Sequence, residues 1–320
     1  MENADYQSLE QRIGRGHLSD RLQLQAGKVA RLLHQGEGIF RVERFLPIDD
    51  LVALGLRLCG LRGLARRNFL DVRVVQQEWV LPRLPASFDG FRLLQLTDLH
   101  IDLDPALTGI IADLVRATPH DAAVVTGDFR NKTHGDFGPC LRETAKITKL
   151  LAPLRWGVLG NHDFLEMVPS LEHDGLPILL NESVAIRRGD EELWIAGIDD
   201  PHFYRTHDLA KVRSVAPSGA CLILLAHSPE IYSGAEPWGF DLQLSGHTHG
   251  GQICLPGGHA VLRSCKVDKP FIKGRWQYRG LQGYTSPGCG CCAVAARLNC
   301  PPEITLHVLR CPAAQMGSGR

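Results

Sequence analysis

Five short motifs gather side chains that could share cations. They are Asp98 and His100 in D-L-H, Asp128 after Gly127, Asn161, His162 and Asp163 in G-N-H-D, His227 after Ala226, and His247 and His249 in G-H-T-H. Carboxylate combined with imidazole suits Zn, Mn, Fe or Co better than Ca. Asp98, His100, Asp128, Asn161, His227, His247 and His249 are more candidate ligands than one tetrahedral ion needs. Two divalent ions sharing one carboxylate is the natural count. Asp128 is the candidate bridge, because Gly127 lets backbone and metal come close. Two cations ~3.5–4 Å apart can activate a water and clamp the oxygens of a transferring phosphoryl group.

Such a centre needs rigid elements to aim its ligands. Apolar runs at residues 92–97, 122–126, 156–159, 193–198, 221–226 and 242–245 predict buried strands, and 106–117 and 140–151 predict helices. Each motif ends one of these strands, where the loops of an open α/β sheet collect functional groups. The alternation predicts α/β architecture with mostly parallel strands. Further runs at 252–255, 259–263 and 304–309 form a β-rich tail, read as a second sheet packed on the first.

Residues 1–80 read as a helical N-terminal extension to a domain spanning 81–320. Leu22, Leu24, Val29, Leu32 and Leu33 recur at helical spacing. So do Leu51, Leu54, Leu58, Leu61 and Leu64, set among Arg57, Arg62, Arg66 and Arg67, although Gly55, Gly60 and Gly63 weaken a helix there. These leucines are expected to pack on the larger domain with the arginines in water. The alternative is peripheral contact with a membrane surface.

Lys plus Arg balances Asp plus Glu at 35 each, so no global field favours nucleic acid, and no nucleic-acid partner is expected. No stretch reaches the ~18 apolar residues of a transmembrane helix. The start lacks a secretory signal pattern, which predicts a cytoplasmic protein whose ten cysteines are reduced thiols. Cys289, Cys291 and Cys292 are spaced C-x-C-C, unlike the paired C-x-x-C of structural zinc. His120, His173, His207 and His307 read as ordinary surface or core residues. Asn131, His202 and Tyr204 are candidate substrate contacts; the last two follow the strand at 193–198, the alternative for them being a loop fixed by aspartate turn chemistry.

The ordered set D-x-H, G-D, G-N-H-D, H and G-H-x-H resembles the signature of calcineurin-like metallophosphoesterases, over residues 93–310. Residues 246–253 and 299–304 are similar to the bacterial branch with G-H-T-H-G-G-Q, which includes YkuE-like phosphoesterases and UDP-diacylglucosamine hydrolases. The resemblance implies a four-layer α-β-β-α sandwich of two mixed β-sheets flanked by helices. It assigns Asp98, His100 and His249 to one metal, Asn161, His227 and His247 to the other, and Asp128 to both. His162 would sit over the phosphoryl group and donate a proton to the leaving oxygen, while a metal-bridging hydroxide attacks. Asn131 stands where the protein phosphatase branch has an Asp that orients this histidine, so Asn131 or Asp163 would hold His162 here. In that bacterial branch the segment around Cys289 is a Gly-rich loop of small residues, so Cys stands in for Ser.

The implied function is metal-dependent hydrolysis of a phosphoester or pyrophosphate. Alternatives are a UDP-2,3-diacylglucosamine-type lipid-precursor pyrophosphatase and a nucleotide phosphodiesterase, with a non-catalytic binding scaffold ranked last. The implied partner is a phosphorylated small molecule or a lipid-linked substrate, the latter met at the inner membrane face.

Overall fold

A computed structural model describes residues 3–34, 48–260, 265 and 267–312, without the side chains of Asn3 and of residues 29–34 and 48–51. Val29, Leu32, Leu33 and Leu51 fall among those side chains, and the strand expected at 259–263 is described only to residue 260.

The chain opens with helices α1 (Asn3–Ile13), α2 (Arg15–His34), α3 (Ile48–Leu58) and α4 (Arg62–Leu70), followed by strand β1 (Arg73–Val80). Next come β2 (Arg92–Leu96), α5 (Ala106–Ala117), β3 (Ala122–Thr126), α6 (Gly138–Thr148), β4 (Leu154–Val158) and α7 (Val168–His173). The second half carries β5 (Glu182–Arg188), β6 (Glu191–Gly197), α8 (Leu209–Val215), β7 (Cys221–Leu225), α9 (Tyr232–Ala235) and β8 (Leu242–Ser245). It closes with the small hairpin β9 (Cys254–Leu255) and β10 (His259–Ala260), then β11 (Gly274–Tyr278), β12 (Leu281–Thr285) and β13 (Glu303–Arg310).

One sheet has the order β1-β13-β2-β3-β4, and the other β11-β12-β8-β7-β6-β5. Both are mixed. β2, β3 and β4 run parallel, while β13 lies antiparallel to β2 and parallel to β1. In the second sheet β12, β8, β7 and β6 run parallel, with β11 and β5 antiparallel at the edges.

The period-two alternation of strand side chains builds three apolar interlayers. Leu94, Leu96, Ala123 and Val125 point outward against α5, α6 and α7. Leu93, Ala122 and Val124 point inward and meet Ile223, Leu225, Leu242 and Leu244 of the other sheet. Leu222 and Leu224 face outward again, against Leu209 and Val212 of α8. The result is the expected sandwich of two mixed sheets flanked by helices. Strands covered on both faces need no polar residues, which is why β3 and β7 read as unbroken apolar runs.

Three expectations change. Residues 73–80, included in the helical extension, form β1, which pairs along its whole length with β13. The tail strand β13 joins the first sheet, and the second sheet is built around β5 to β8 instead. The leucines of α3 and α4 do not pack as expected: Leu54, Leu58, Leu61 and Leu64 are exposed, Leu58 by 77%. Leu56 and Ala65 are buried against Ala296 instead, and Phe69 of α4 is buried in the outer core of the first sheet. Gly60, at φ 70°, ends α3 and turns the chain into α4. In α2 the core-facing stripe is largely polar: Arg21 and Gln25 are buried beside Leu18, whereas Leu24 is exposed. Among the described residues no helix is long and apolar enough to cross a membrane.

Candidate metal centre

The carboxyl ends of parallel strands from both sheets meet at one place, and each expected ligand lies just beyond one of them. Asp98 and His100 follow β2, Asp128 follows β3, and Asn161 and His162 follow β4. His227 follows β7, and His247 and His249 follow β8. These loops turn sharply. Asp98, His100, Asp128, His247 and His249 all have φ between 37° and 68°. Left-handed backbone of this kind costs a non-glycine residue about 1–3 kcal/mol and survives only where the surroundings enforce it. Glycines make the room: a Cβ at Gly160 would overlap the Asp128 carboxylate, and one at Gly246 would overlap Thr97 and Asp98.

The ligand atoms of Asp98, His100 and His249 lie within 4.8 Å of one another, as do those of Asp128, His227 and His247. Asp128 links the two sets. Its Oδ2 is 3.6 Å from His100 Nε2 and 3.3 Å from His227 Nε2. His249 Nε2 is 3.5 Å from Asp98 Oδ1 and 3.3 Å from His100 Nε2. Asn161 Oδ1 is 3.1 Å from His227 Nε2. All seven expected ligands are therefore brought together.

Their orientation is fixed from behind. His100 Nδ1 donates to the Arg130 carbonyl and His227 Nδ1 to the Thr126 carbonyl, each at 2.8 Å. A carbonyl only accepts, so Nδ1 carries the proton and Nε2 keeps its lone pair for a cation. Asp98 accepts the His247 N–H at 3.0 Å and the Thr97 hydroxyl at 2.9 Å.

The electrostatics agree. Burial pushes the His247 and His249 pKa values far below the usual histidine range and lowers His100 as well. Burial also opposes a charged His227, but the facing Asp128 carboxylate outweighs it and lifts that histidine to about 10. Burial raises Asp98. It resists ionisation of Asp128 too, yet His227, His162 and His100 hold that carboxyl well below its usual range. Neutral imidazoles at His100, His247 and His249 beside the ionised Asp128 carboxylate are a donor set that divalent cations fit, and a cation next to Asp128 would take the place of the His227 proton.

His162 differs from the buried residues expected as ligands. Its side chain is 14% exposed, against 0% for His100 and His227. His162 Nε2 lies 3.9 Å from Asp128 Oδ2, and the atoms of His100, Asp128 and His162 form a third close set. Neither expected side chain holds its ring. Nδ1 bonds to the main-chain carbonyl of Asn131 at 2.5 Å, while the Asn131 side chain accepts the Ala293 N–H at 3.0 Å. Asp163 serves the loops instead. Its carboxylate accepts the N–H groups of Asp128, Phe129 and Gly160 at 2.8–2.9 Å. Burial and the nearby Asp128 push Asp163 up to about 7.

The three candidate substrate contacts separate: the Asn131 side chain is taken up by the Ala293 N–H. The His202 ring lies 4.2 Å from that of His247, at the border of the centre, with Nδ1 2.5 Å from Glu230 Oε2. Tyr204 is buried beneath α2, with the Arg21 guanidinium 3.1 Å from its ring centroid. The cysteines do not converge. Cys289, Cys291 and Cys300 donate to the carbonyls of Glu303, Ala296 and His249, while Cys292 Sγ faces His162 Nε2 at 3.8 Å.

Two functional supports carry no signal in the sequence. Arg297, fully buried, donates to the carbonyls of Pro287, Gly290 and His249 and so ties the last loop to the centre. Lys28 of α2 donates to the Asn161 carbonyl at 2.5 Å. Both are isolated cations in the chain, outside any motif.

The sequence pattern described as calcineurin-like phosphoesterase matches residues 91–251, half of the chain, and spans all seven expected ligands and His162. The chain belongs to the calcineurin-like phosphoesterase family. It is thus a hydrolase, a metallophosphoesterase with His and Asp groups placed to hold metal. Among its relatives, the uncharacterized metallophosphoesterase YkoQ of Bacillus subtilis is 29% identical over 76% of this chain and 92% of its own length. YkuE of the same organism, also an uncharacterized metallophosphoesterase, is 29% identical over 71% of this chain and 82% of its own. The phosphodiesterase YaeI of Escherichia coli is 26% identical over 68% of this chain and 81% of its own. The metallophosphoesterase pattern begins at residue 91, so α1 to α4 and β1 lie outside it.

Proposed function

We propose that this metallophosphoesterase hydrolyses a phosphoester or pyrophosphate at a dinuclear centre. Asp98, His100 and His249 would hold one divalent ion, Asn161, His227 and His247 the other, and Asp128 both. The observation that supports this reading best is the position of Asp128 Oδ2, within 3.6 Å of imidazole nitrogens from both ligand sets. Two such ions, Mn, Zn, Fe or Co, supply an activated water and a clamp for phosphoryl oxygens when bound.

His162 takes the protein's part in proton transfer. The Asn131 carbonyl holds the Nδ1 proton, which leaves Nε2 as the nitrogen that exchanges a proton on the open side of the centre. The buried imidazoles are reserved for the metals. Hydrolysis of bis(p-nitrophenyl) phosphate, with and without added Mn2+, Zn2+ or Co2+, tests the reading. Asp128→Ala should abolish turnover, His162→Ala should lower it by about 10²–10⁴-fold, and metal content should fall only for Asp128→Ala. Equal metal loss in both variants would contradict the division of roles.

A second reading, hydrolysis of a lipid-linked substrate at an anionic membrane surface, is favoured by α3 and α4. They expose Leu54, Leu58, Leu61 and Leu64 among Arg57, Arg62, Arg66 and Arg67, a pairing suited to an interface with anionic headgroups. The patch adjoins the centre, because the Ala65 carbonyl accepts the Arg297 N–H and Cys292 of the same loop faces His162. Co-sedimentation with phosphatidylglycerol vesicles, lost on Leu58→Glu, is the expected result. Equal binding by both proteins, or none by either, leaves the soluble phosphodiester, including a nucleotide diester, as the better substrate class.

A further inference from the structure

The hairpin α1–α2 lies outside the metallophosphoesterase pattern, yet it fastens to the rim of the metal centre through one polar stripe. Arg12 meets Glu172 and Glu182 at 2.8 and 2.7 Å. His17 and Arg21 meet Asp199 at 2.9 and 3.2 Å. Gln25 donates to Glu166 at 2.6 Å and accepts the Leu165 N–H at 3.2 Å. On α2 these positions, 17, 21, 25 and 28, recur at helical spacing, so a single face of the helix is turned to the core.

Lys28 ends that stripe, and its surroundings differ from those of the cations before it. Among the described residues, Arg12, His17 and Arg21 are matched by carboxylates, whereas the direct neighbours of the Lys28 ammonium are neutral. It donates to the Asn161 carbonyl at 2.5 Å and stands 4.4 Å above the Phe203 ring. A carbonyl and an aromatic face stabilise an ammonium without cancelling its charge. Burial lowers the Lys28 pKa, while the Asp128 and Asp200 carboxylates favour its charged form. The ammonium is held beside Asn161, whose Oδ1 lies 3.1 Å from His227 Nε2, and so is placed for an anion at the centre.

We propose that Lys28 is a substrate-binding residue whose ammonium contacts a non-bridging oxygen of the phosphoryl group, so that α2 completes the active site. This rests on the hydrolase reading above. The charge, a compact point donor on a flexible stem, suits phosphate oxygen without demanding a fixed bidentate geometry. Arg21 supports the same loop from beneath, its guanidinium over Tyr204 and its Nη2 donating to the Asp163 carbonyl at 3.1 Å.

The test compares the full-length wild type with Lys28→Met and Lys28→Arg, all loaded with Mn2+. Three quantities are read: manganese content, calorimetric affinity for inorganic phosphate, and kcat with KM on bis(p-nitrophenyl) phosphate. Lys28→Met should keep its manganese, bind phosphate about tenfold or more weakly, and show a KM raised by a similar factor. Lys28→Arg should recover most of the phosphate affinity. Unchanged phosphate affinity in Lys28→Met overturns the proposal. Loss of manganese or of folding in Lys28→Met, with Lys28→Arg no better, also overturns it, because Lys28 then serves only to hold Asn161. If the wild type binds phosphate but cleaves no ester, the hydrolase reading fails by itself and the phosphate arm still decides on Lys28.

Discussion

At the scale of single residues, the two side chains expected to hold His162 are engaged elsewhere. The His162 ring is held by a main-chain carbonyl, so the identity of the side chain at 131 matters little to it. Asn131→Ala should lower kcat by less than about tenfold, whereas His162→Ala, which removes the proposed proton donor, should lower it by about 10²–10⁴-fold. Steady-state kinetics on one diester, at saturating Mn2+, would show whether the two losses separate as stated. Asp163 matters more than its distance from the substrate suggests. Its carboxylate is the acceptor for three buried N–H groups, and each left unmade costs about 1–3 kcal/mol. Asp163→Ala should therefore destabilise the protein by about 3 kcal/mol or more and reduce metal content, read by urea denaturation and elemental analysis. Retention of both stability and metal would mean that the loops hold themselves.

At the scale of elements, the first sheet is stitched crosswise by side chains. Trp79 of β1 donates to His307 Nδ1 of β13 at 2.9 Å, and His307 Nε2 donates to Gln95 Oε1 of β2 at 2.9 Å. This network requires neutral His307, and burial lowers its pKa to about 3. The unfolded chain regains a value of about 6.5 and so binds more protons below that pH. Stability should fall as pH drops from about 6.5 towards 3, by up to about 1.4 kcal/mol per unit, and His307→Gln should flatten that part of the curve. Denaturant melts of the metal-free proteins at a series of pH values measure the slope. The strands around this network were legible where burial on both faces makes the sequence continuously apolar: β3 and β8 fall where the apolar runs predict. The ligand loops were legible because each motif is local. β1 and β5 were not, since their half-exposed edges mix Gln, Glu, Ser and Arg into the strand. The polar stripe of α2 was hidden for a related reason. A buried Arg or Gln looks like a solvent-facing residue until its long-range partner, such as Asp199 or Glu166, is known.

At the scale of the whole molecule, the α1–α2 hairpin is joined to the core by charge as well as by the apolar contacts of Leu9, Ile13 and Leu18. Burial opposes ionisation of Asp199, but Arg21 and His17 beside it prevail and hold its carboxyl far below the usual range. A depressed carboxyl pKa contributes stability above the unfolded value of about 3.9 and loses it only in stronger acid, so the hairpin should stay docked throughout neutral and mildly acidic pH. Removing one partner leaves buried Arg21 uncompensated, at a cost of about 3–5 kcal/mol. Asp199→Ala should accordingly expose residues 3–34 to limited proteolysis while residues 91–251 resist, followed by gel electrophoresis and mass spectrometry. Digestion rates equal to wild type would show that apolar contacts of Leu9, Ile13 and Leu18 suffice.

The strand order carries a practical consequence for anyone who would isolate the catalytic half. β13 lies beside β2, and β12 beside β8, yet both β12 and β13 come after residue 251. Cutting there would open a seam in each sheet, baring the unpaired amides of two apolar strands. Bare edges of that kind recruit other chains, so a truncated fragment would form aggregates in place of an autonomous enzyme.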